Sequence, residues 1–183
     1  MNKHFEKPKM IIGLAGKKRC GKDSVAAYLC AYYGFHQDSF AAPIRTFVAS
    51  LCGYTLNELE AMKEEIHPLF GISPREMMQT LGTEWGRDRI SKTVWLDSLI
   101  HRLKNRRTVI SDIRFDNEAE AIRKLGGTII HLCRKGNEDT DDHASEAGIK
   151  VLEEDIYLPN NGTLVELYRN TADIIIELEK NYG

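Results

Sequence analysis

The sequence predicts an α/β fold: a central parallel sheet covered by helices on both faces, in three α/β/α layers. Three observations predict it. Short apolar runs such as "TVISD" and "TIIHLC" alternate with segments of helical period. The stretch "IIGLAGKKRCGKDSVAAYL" passes from a strand through a glycine-rich turn directly into a helix. The length, 183 residues, suits one domain with a sizeable core. In such sheets ligands bind beyond the carboxyl ends of the strands.

The elements follow in order. Lys9 to Ala15 reads as a short buried strand. "KDSVAAYLCAYY" takes helical period with Val25, Leu29 and Tyr32 on one face, and Gly34 ends it. "FHQDSF" is a second short strand. Pro43 opens a helix that Gly53 stops, and Thr55 caps the next, "TLNELEAMKEE". Ser73 caps, and Pro74 begins, one longer helix, "SPREMMQTLGTEWGRDRIS". "TVWLDSLIHRLKN" is amphipathic, with Val94, Leu96, Leu99, Ile100 and Leu103 apolar. "RTVISDI" is a strand, "NEAEAIRKLGG" a helix closed by Gly126 and Gly127, and "TIIHLC" a buried strand. A polar loop, "RKGNEDTDDHASEAG", leads to the extended "DIYLPNNG". The Ile174 to Ile176 run favours strand. Leu164, Leu167, Tyr168, Thr171, Ile175 and Leu178 nevertheless recur at helical spacing, which predicts a closing helix.

Composition sets limits on function. Hydrophobic residues are 42%, charged residues 28% and the net charge is -2, so no global positive field points to a nucleic-acid polymer. No apolar run approaches the roughly 20 residues of a membrane helix. The opening MNKHFEKPKM carries no signal-peptide core, so a cytoplasmic protein is expected. Cys20, Cys30, Cys52 and Cys133 form no C-x-x-C pair and read as reduced thiols, Cys20 as a small filler.

The chemistry centres on Gly16-x-x-x-x-Gly21-Lys22. Glycines let backbone N–H groups turn inward around a phosphate. The helix that follows points its unpaired N–H groups and dipole at the same anion. Gly16, Lys17, Arg19, Cys20, Gly21, Lys22, Asp23 and Ser24 are therefore the expected nucleotide-binding loop, with Lys22 on the outer phosphates. The usual hydroxyl after the lysine is Asp23 here, and Ser24 comes one position later. Ser24 is expected to take the magnesium side, directly or through water, with Asp23 turned away or capping neighbouring groups. Asp112 ends the strand "TVISD" and is expected to be the second metal anchor, or else a cap for the next helix. Asp38 ends "FHQD" and either orients metal-bound water or the attacking phosphate, or stabilises a turn.

Several stretches together resemble one family. "GKKRCGKDS", "DSFAAPIR", "QTLGTEWGRDRI", "VISDIRFDNEAEAIRKLGG", "DDHASE" and "NNGTLVEL" look like the bacteriophage-type deoxynucleoside monophosphate kinases, in the same order along the chain. The Lys-x-Ser spacing resembles the Lys-x-Thr of adenylate kinases. The resemblance implies a P-loop NTPase core (about 9–40 and 106–183), a helical monophosphate-binding insertion (about 41–105) and a lid (about 134–150). It implies transfer of the γ-phosphoryl of ATP to a deoxynucleoside monophosphate, with Mg2+, for DNA precursor supply. It also implies small-molecule substrates, no membrane, possible homodimerisation, and host-cell cytoplasm if phage-encoded.

Residue roles follow from the resemblance. Lys22, Asp112 and Arg114 would be catalytic, although Arg114 could instead pair with Asp116 or Glu118. Arg45, Arg87 and Arg89 offer forked phosphate grips, with Arg45 and Arg87 preferred. Phe40 and Trp85 would stack on the base, and Gln79, Thr83 and Asn117 would read its edges. Arg134 would stack on adenine, bordered by Asn161 and Gly162. His143, Ser145 and Glu146 would contact nucleotide when the lid closes. Two other classes compete: another small-molecule kinase resembling phosphomevalonate kinases, and a non-catalytic nucleotide-binding module.

Overall fold

The computed structural model describes residues 10–135 and 149–182. The chain forms two compact units, one of Met1–Ser39 with Leu103–Gly183 and one of Phe40–Arg102.

The first unit holds five parallel strands: β1 (Met10–Ala15), β2 (His36–Asp38), β3 (Arg107–Ile113), β4 (Thr128–Cys133) and β5 (Ile156–Pro159). Their order is β2-β3-β1-β4-β5, so β1 is central and the buried strands read as continuous apolar runs. Helix α1 (Lys22–Tyr33) follows β1. Alternation along β1 divides the core into two faces. Ile12 and Leu14 join Val109, Ile130, Leu132 and Leu158 against Val25, Ala26 and Leu29 of α1 and against Leu167 and Ile175 of the closing helix. On the opposite face the Ile122 side chain meets Ile11 over Gly127. The sheet is thus covered on both sides, as predicted.

The periodicity in α1 is centred differently from the expectation. Val25, Ala26 and Leu29 are buried, whereas Tyr32 is 74% exposed. Tyr32 lies at the edge of the apolar stripe and contacts Tyr28, whose ring stacks on Tyr168 at 4.4 Å. Leu29, fully buried, contributes about 1.5–3 kcal/mol by leaving water. Gly34 closes α1 in the left-handed conformation at φ 66°. The Ile174 to Ile176 run is helical, because Leu167, Thr171 and Ile175 bury one face while Ile176 stays exposed.

The second unit is helical: α2 (Ala42–Cys52), α3 (Leu56–Met62), α4 (Pro74–Thr80) and α5 (Val94–Arg102). Val48, Ala49, Leu59 and Met77 form its core. Thr55 and Glu58 make a reciprocal capping box at the start of α3, and the Ser73 hydroxyl accepts from Glu76 N–H at α4. Helix α2 begins one residue before Pro43, and Gly53 closes it at φ 72°. Two expectations change. The single helix predicted from Ser73 becomes α-helical only to Thr80 and continues as a π-helix over Leu81–Ile90. In α5 Leu99 of the expected apolar set is buried, but its buried companion is Trp95, whereas Val94, Leu96 and Ile100 are half-buried. The two meet at Trp95: its indole fills the space beside Gly86, where a Cβ would lie 2.5 Å from the ring, and donates to Gly82 O at 2.7 Å.

The first unit is completed by α6 (Asp116–Lys124) and α7 (Leu164–Tyr182).

Candidate active site

Parallel strands place the ends of β1 to β4 along one edge of the sheet, with the glycine loop leaving central β1. Gly16 has φ 138° and Gly21 φ 110°, conformations that side chains rarely adopt. A Cβ on Gly16 would come within 2.3 Å of Leu132 O, and one on Gly21 within 2.6 Å of Asn160 Nδ2. Arg19, at φ 62°, carries the left-handed turn between them. Lys17 and Arg19 are exposed, whereas Cys20 is buried as a filler. Burial pushes the Cys20 thiol up, and nearby Lys22 offsets part of that rise.

Lys22 begins α1 and turns back across the loop. Its Nζ donates to Gly16 O at 2.6 Å and to Lys17 O at 2.8 Å, which fixes the positive charge at the loop's mouth. The backbone link of helix to loop is Val25 N–H on Gly21 O at 3.0 Å. The N–H groups of Lys22, Asp23 and Ser24 lead the helix and face its amino end. Asp23 is exposed and Ser24 half-buried on this first turn.

Asp112 reaches the same region through an irregularity. Gly13 pairs with Ile110, but Ala15 pairs with Ile113, so Ser111 and Asp112 together lie opposite Leu14. This is a β-bulge, a device that re-aims side chains. Ile113 consequently lies over Gly13, on the face away from Val109. Regular alternation would have put Ile113 on Val109's face and Asp112 on the other. The register step thus falls at Asp112, the half-buried acid at the end of β3. Among the described residues no three His, Cys, Asp or Glu side chains gather into a metal site. Ser24 and Asp112 supply hard oxygen donors of the kind that suits Mg2+.

Beyond β3, Glu118 organises the turn. Buried at 3% exposure, it accepts from Arg114 N–H at 3.0 Å and Phe115 N–H at 3.2 Å. Arg114 is exposed at this strand end, as is Asn117 on the first turn of α6. Sequence reading treated Glu118 only as a surface partner for Arg114. Its place at the third position of the helix was the usable signal. Asp38, at the end of β2, accepts the Ser39 N–H at 2.7 Å. Arg134 is exposed after β4, and Asn161 Oδ1 receives the neighbouring Lys135 N–H at 2.8 Å. Gly162 packs against the Glu166 carboxylate, which caps α7 through Thr163 N–H at 2.7 Å. His143, Ser145 and Glu146 lie outside the described residues.

One functional neighbour escaped sequence reading. Asn160, 7% exposed, donates from Nδ2 to Cys20 O at 2.9 Å, while its own N–H donates to Cys133 O at 2.7 Å. Its only mark in the sequence is the doublet "NNG" after a strand.

In the second unit, Arg45 pairs with Glu60 at 3.0 Å. Burial raises the Glu60 carboxyl, but Lys63 and Arg45 outweigh it and hold it below its ordinary value. Gln79 and Thr83 are exposed, Arg87 is half-buried and Trp85 is 49% exposed. Phe40, expected as a stacking surface, is instead 3% exposed and presents no free ring face. An aromatic this apolar lowers its free energy by leaving water.

A glycine loop between the central parallel strand and a helix defines a P-loop fold. The fold is shared with a gluconokinase from Sinorhizobium meliloti 1021 at a TM-score of 0.54 and 12% identity, covering 96% of this chain and 97% of that one. The sequence profile of the deoxynucleotide monophosphate kinases matches residues 56–171, and the chain belongs to that family. A protein of Acanthamoeba polyphaga mimivirus bearing the same family name is 33% identical over 178 residues, 87% of this chain and 92% of its own length. The deoxynucleotide monophosphate kinase of Escherichia phage RB69 is 32% identical over 123 residues, 63% of this chain. The chain spans only 50% of that phage enzyme's length. No helix among the described residues is long and apolar enough to cross a membrane.

Proposed function

We infer that the protein transfers the γ-phosphoryl group of ATP to a deoxynucleoside 5′-monophosphate, giving the diphosphate and ADP. The observation that carries this reading is the family match combined with the loop held by Gly16, Gly21 and Lys22 at the carboxyl edge of the sheet. Both substrates are phosphates, so catalysis is chiefly positioning and charge neutralisation. Lys22 and the leading N–H groups of α1 grip the donor phosphates, with Lys17, Arg19, Cys20, Asp23 and Ser24 completing the loop. Arg114 reaches the transferring or accepting phosphate from the end of β3. Ser24 and Asp112 would hold Mg2+, which neutralises the β- and γ-phosphate charge when bound. Arg134, Asn161 and Gly162 border the adenine.

The acceptor falls to the helical unit. Arg45 and Arg87 grip its 5′-phosphate, Trp85 stacks on the base, and Gln79, Thr83 and Asn117 read its edges. Asp38 orients the acceptor phosphate. The helical unit acts as the monophosphate-binding insertion, and the segment with His143, Ser145 and Glu146 as the lid. The product feeds DNA precursor supply in the cytoplasm of the host cell, and a homodimer is compatible with the chain's size.

The test is ADP release with ATP and each of dGMP, dTMP, dCMP, dAMP and phosphomevalonate in turn. Turnover with at least one deoxynucleotide, and none with phosphomevalonate, is expected. Absence of turnover with every deoxynucleotide overturns the reading.

A further inference from the structure

We propose that Asn160 is a positioning residue for phosphate binding, holding the Cys20–Gly21 peptide in the orientation that aims Gly21 N–H at the donor phosphates. This rests on the nucleotide-binding reading above and deepens it. The argument is geometric. A trans peptide is planar, so its C=O and N–H point in opposite directions. The Cys20 carbonyl accepts from Asn160 Nδ2 at 2.9 Å, inside the protein. Gly21 N–H must then point away from Asn160, on the opposite side of the peptide. If the peptide flipped, an oxygen would face an oxyanion, and one donor would become a repulsive acceptor.

Three features make Asn160 suited to this work. It is 7% exposed, so its amide is little contested by water. Its backbone is tied to the sheet by its N–H on Cys133 O at 2.7 Å, so the side chain acts from a rigid base. Gly21 supplies the fit, because a Cβ there would collide with Nδ2 at 2.6 Å. The side chain itself touches neither substrate in this assignment. It acts through the peptide it holds.

The experiment compares Asn160→Ser and Asn160→Asp with the unaltered chain and with Lys22→Ala. Binding of ATP and of adenosine is measured by calorimetry, with KM for ATP and KM for the deoxynucleotide alongside. Loss of one buried hydrogen bond should weaken ATP binding about tenfold. KM for ATP should rise in step. Adenosine binding, which has no phosphates, should stay within twofold, as should KM for the acceptor, taking about twofold as the scatter of such constants. Equal weakening of ATP and adenosine would mean that Asn160 merely shapes the pocket, and it overturns the proposal. So would unchanged ATP binding in both variants while Lys22→Ala loses it. If the unaltered chain itself does not bind ATP, the proposed function falls, and the proposal with it.

Discussion

Ile113 Cδ1 occupies the space that a Cβ at Gly13 would need, 2.2 Å from it. This contact accompanies the irregularity in β3, where the pairing steps from Gly13 with Ile110 to Ala15 with Ile113. Gly13→Ala forces Ile113 and Ile129 to shift, and overpacking should cost about 1–3 kcal/mol. Urea unfolding measures the loss. The double variant with Ile113→Val should recover part of it. A fully neutral Gly13→Ala would show that the space is not contested.

Lys22→Ala removes the charge that Gly16 O and Lys17 O hold across the loop. Phosphoryl transfer should fall by about 10²-fold or more, the scale for losing a preorganised charge in the transition state. The circular dichroism spectrum should not change. Undiminished transfer excludes the phosphate grip assigned to Lys22.

The two tryptophans should separate stability from acceptor binding. Trp95→Phe breaks the 2.7 Å bond to Gly82 O; leaving that carbonyl short of a donor should cost about 1–2 kcal/mol. Trp85, 49% exposed, should change stability by less than about 0.5 kcal/mol when replaced by alanine. Trp85→Ala should instead raise KM for the deoxynucleotide and leave KM for ATP alone. An unaltered acceptor KM argues against base stacking by Trp85.

Asp155 sets an acid limit on stability. Its carboxylate accepts from Arg123 Nη2 at 2.6 Å and Nε at 2.9 Å, from Leu152 N–H at 2.9 Å, and contacts His131 Nε2 at 2.9 Å. Burial raises the carboxyl's pKa, but Arg123, the Leu152 amide and His131 outweigh it and hold it below the ordinary value. The folded pKa is therefore the lower one. The contribution is complete above the unfolded value of about 3.9 and is lost as pH falls through the folded one. Asp155→Asn should destabilise by about 3 kcal/mol at neutral pH, because Arg123 loses its charge partner. The gap to the unaltered chain should close on acidification. Denaturant unfolding followed into acid checks this, and a gap that stays constant there would contradict it.

What the chain determined by itself was local. Gly16, Gly21 and Lys22 between an apolar run and a helical pattern mark the phosphate loop without any partner. Ser73, Thr55, Gly34 and Gly53 mark helix ends, because caps use only neighbouring backbone groups. Asp112 was legible as a strand end, but the register slip beside it was not. That slip is a relation between β3 and β1 that neither strand's own sequence states. Tyr32 and Phe40 differ from expectation for a related reason: an aromatic residue's own chemistry does not say whether another element comes to cover it. The π-helical segment likewise packs against an indole from a different helix, a contact its own sequence does not state. Asn160 is the extreme case, acting on Cys20 across 140 positions of chain. Local signals specify elements through short-range sterics and hydrogen bonds, whereas the final aim of a side chain is decided where distant elements pack.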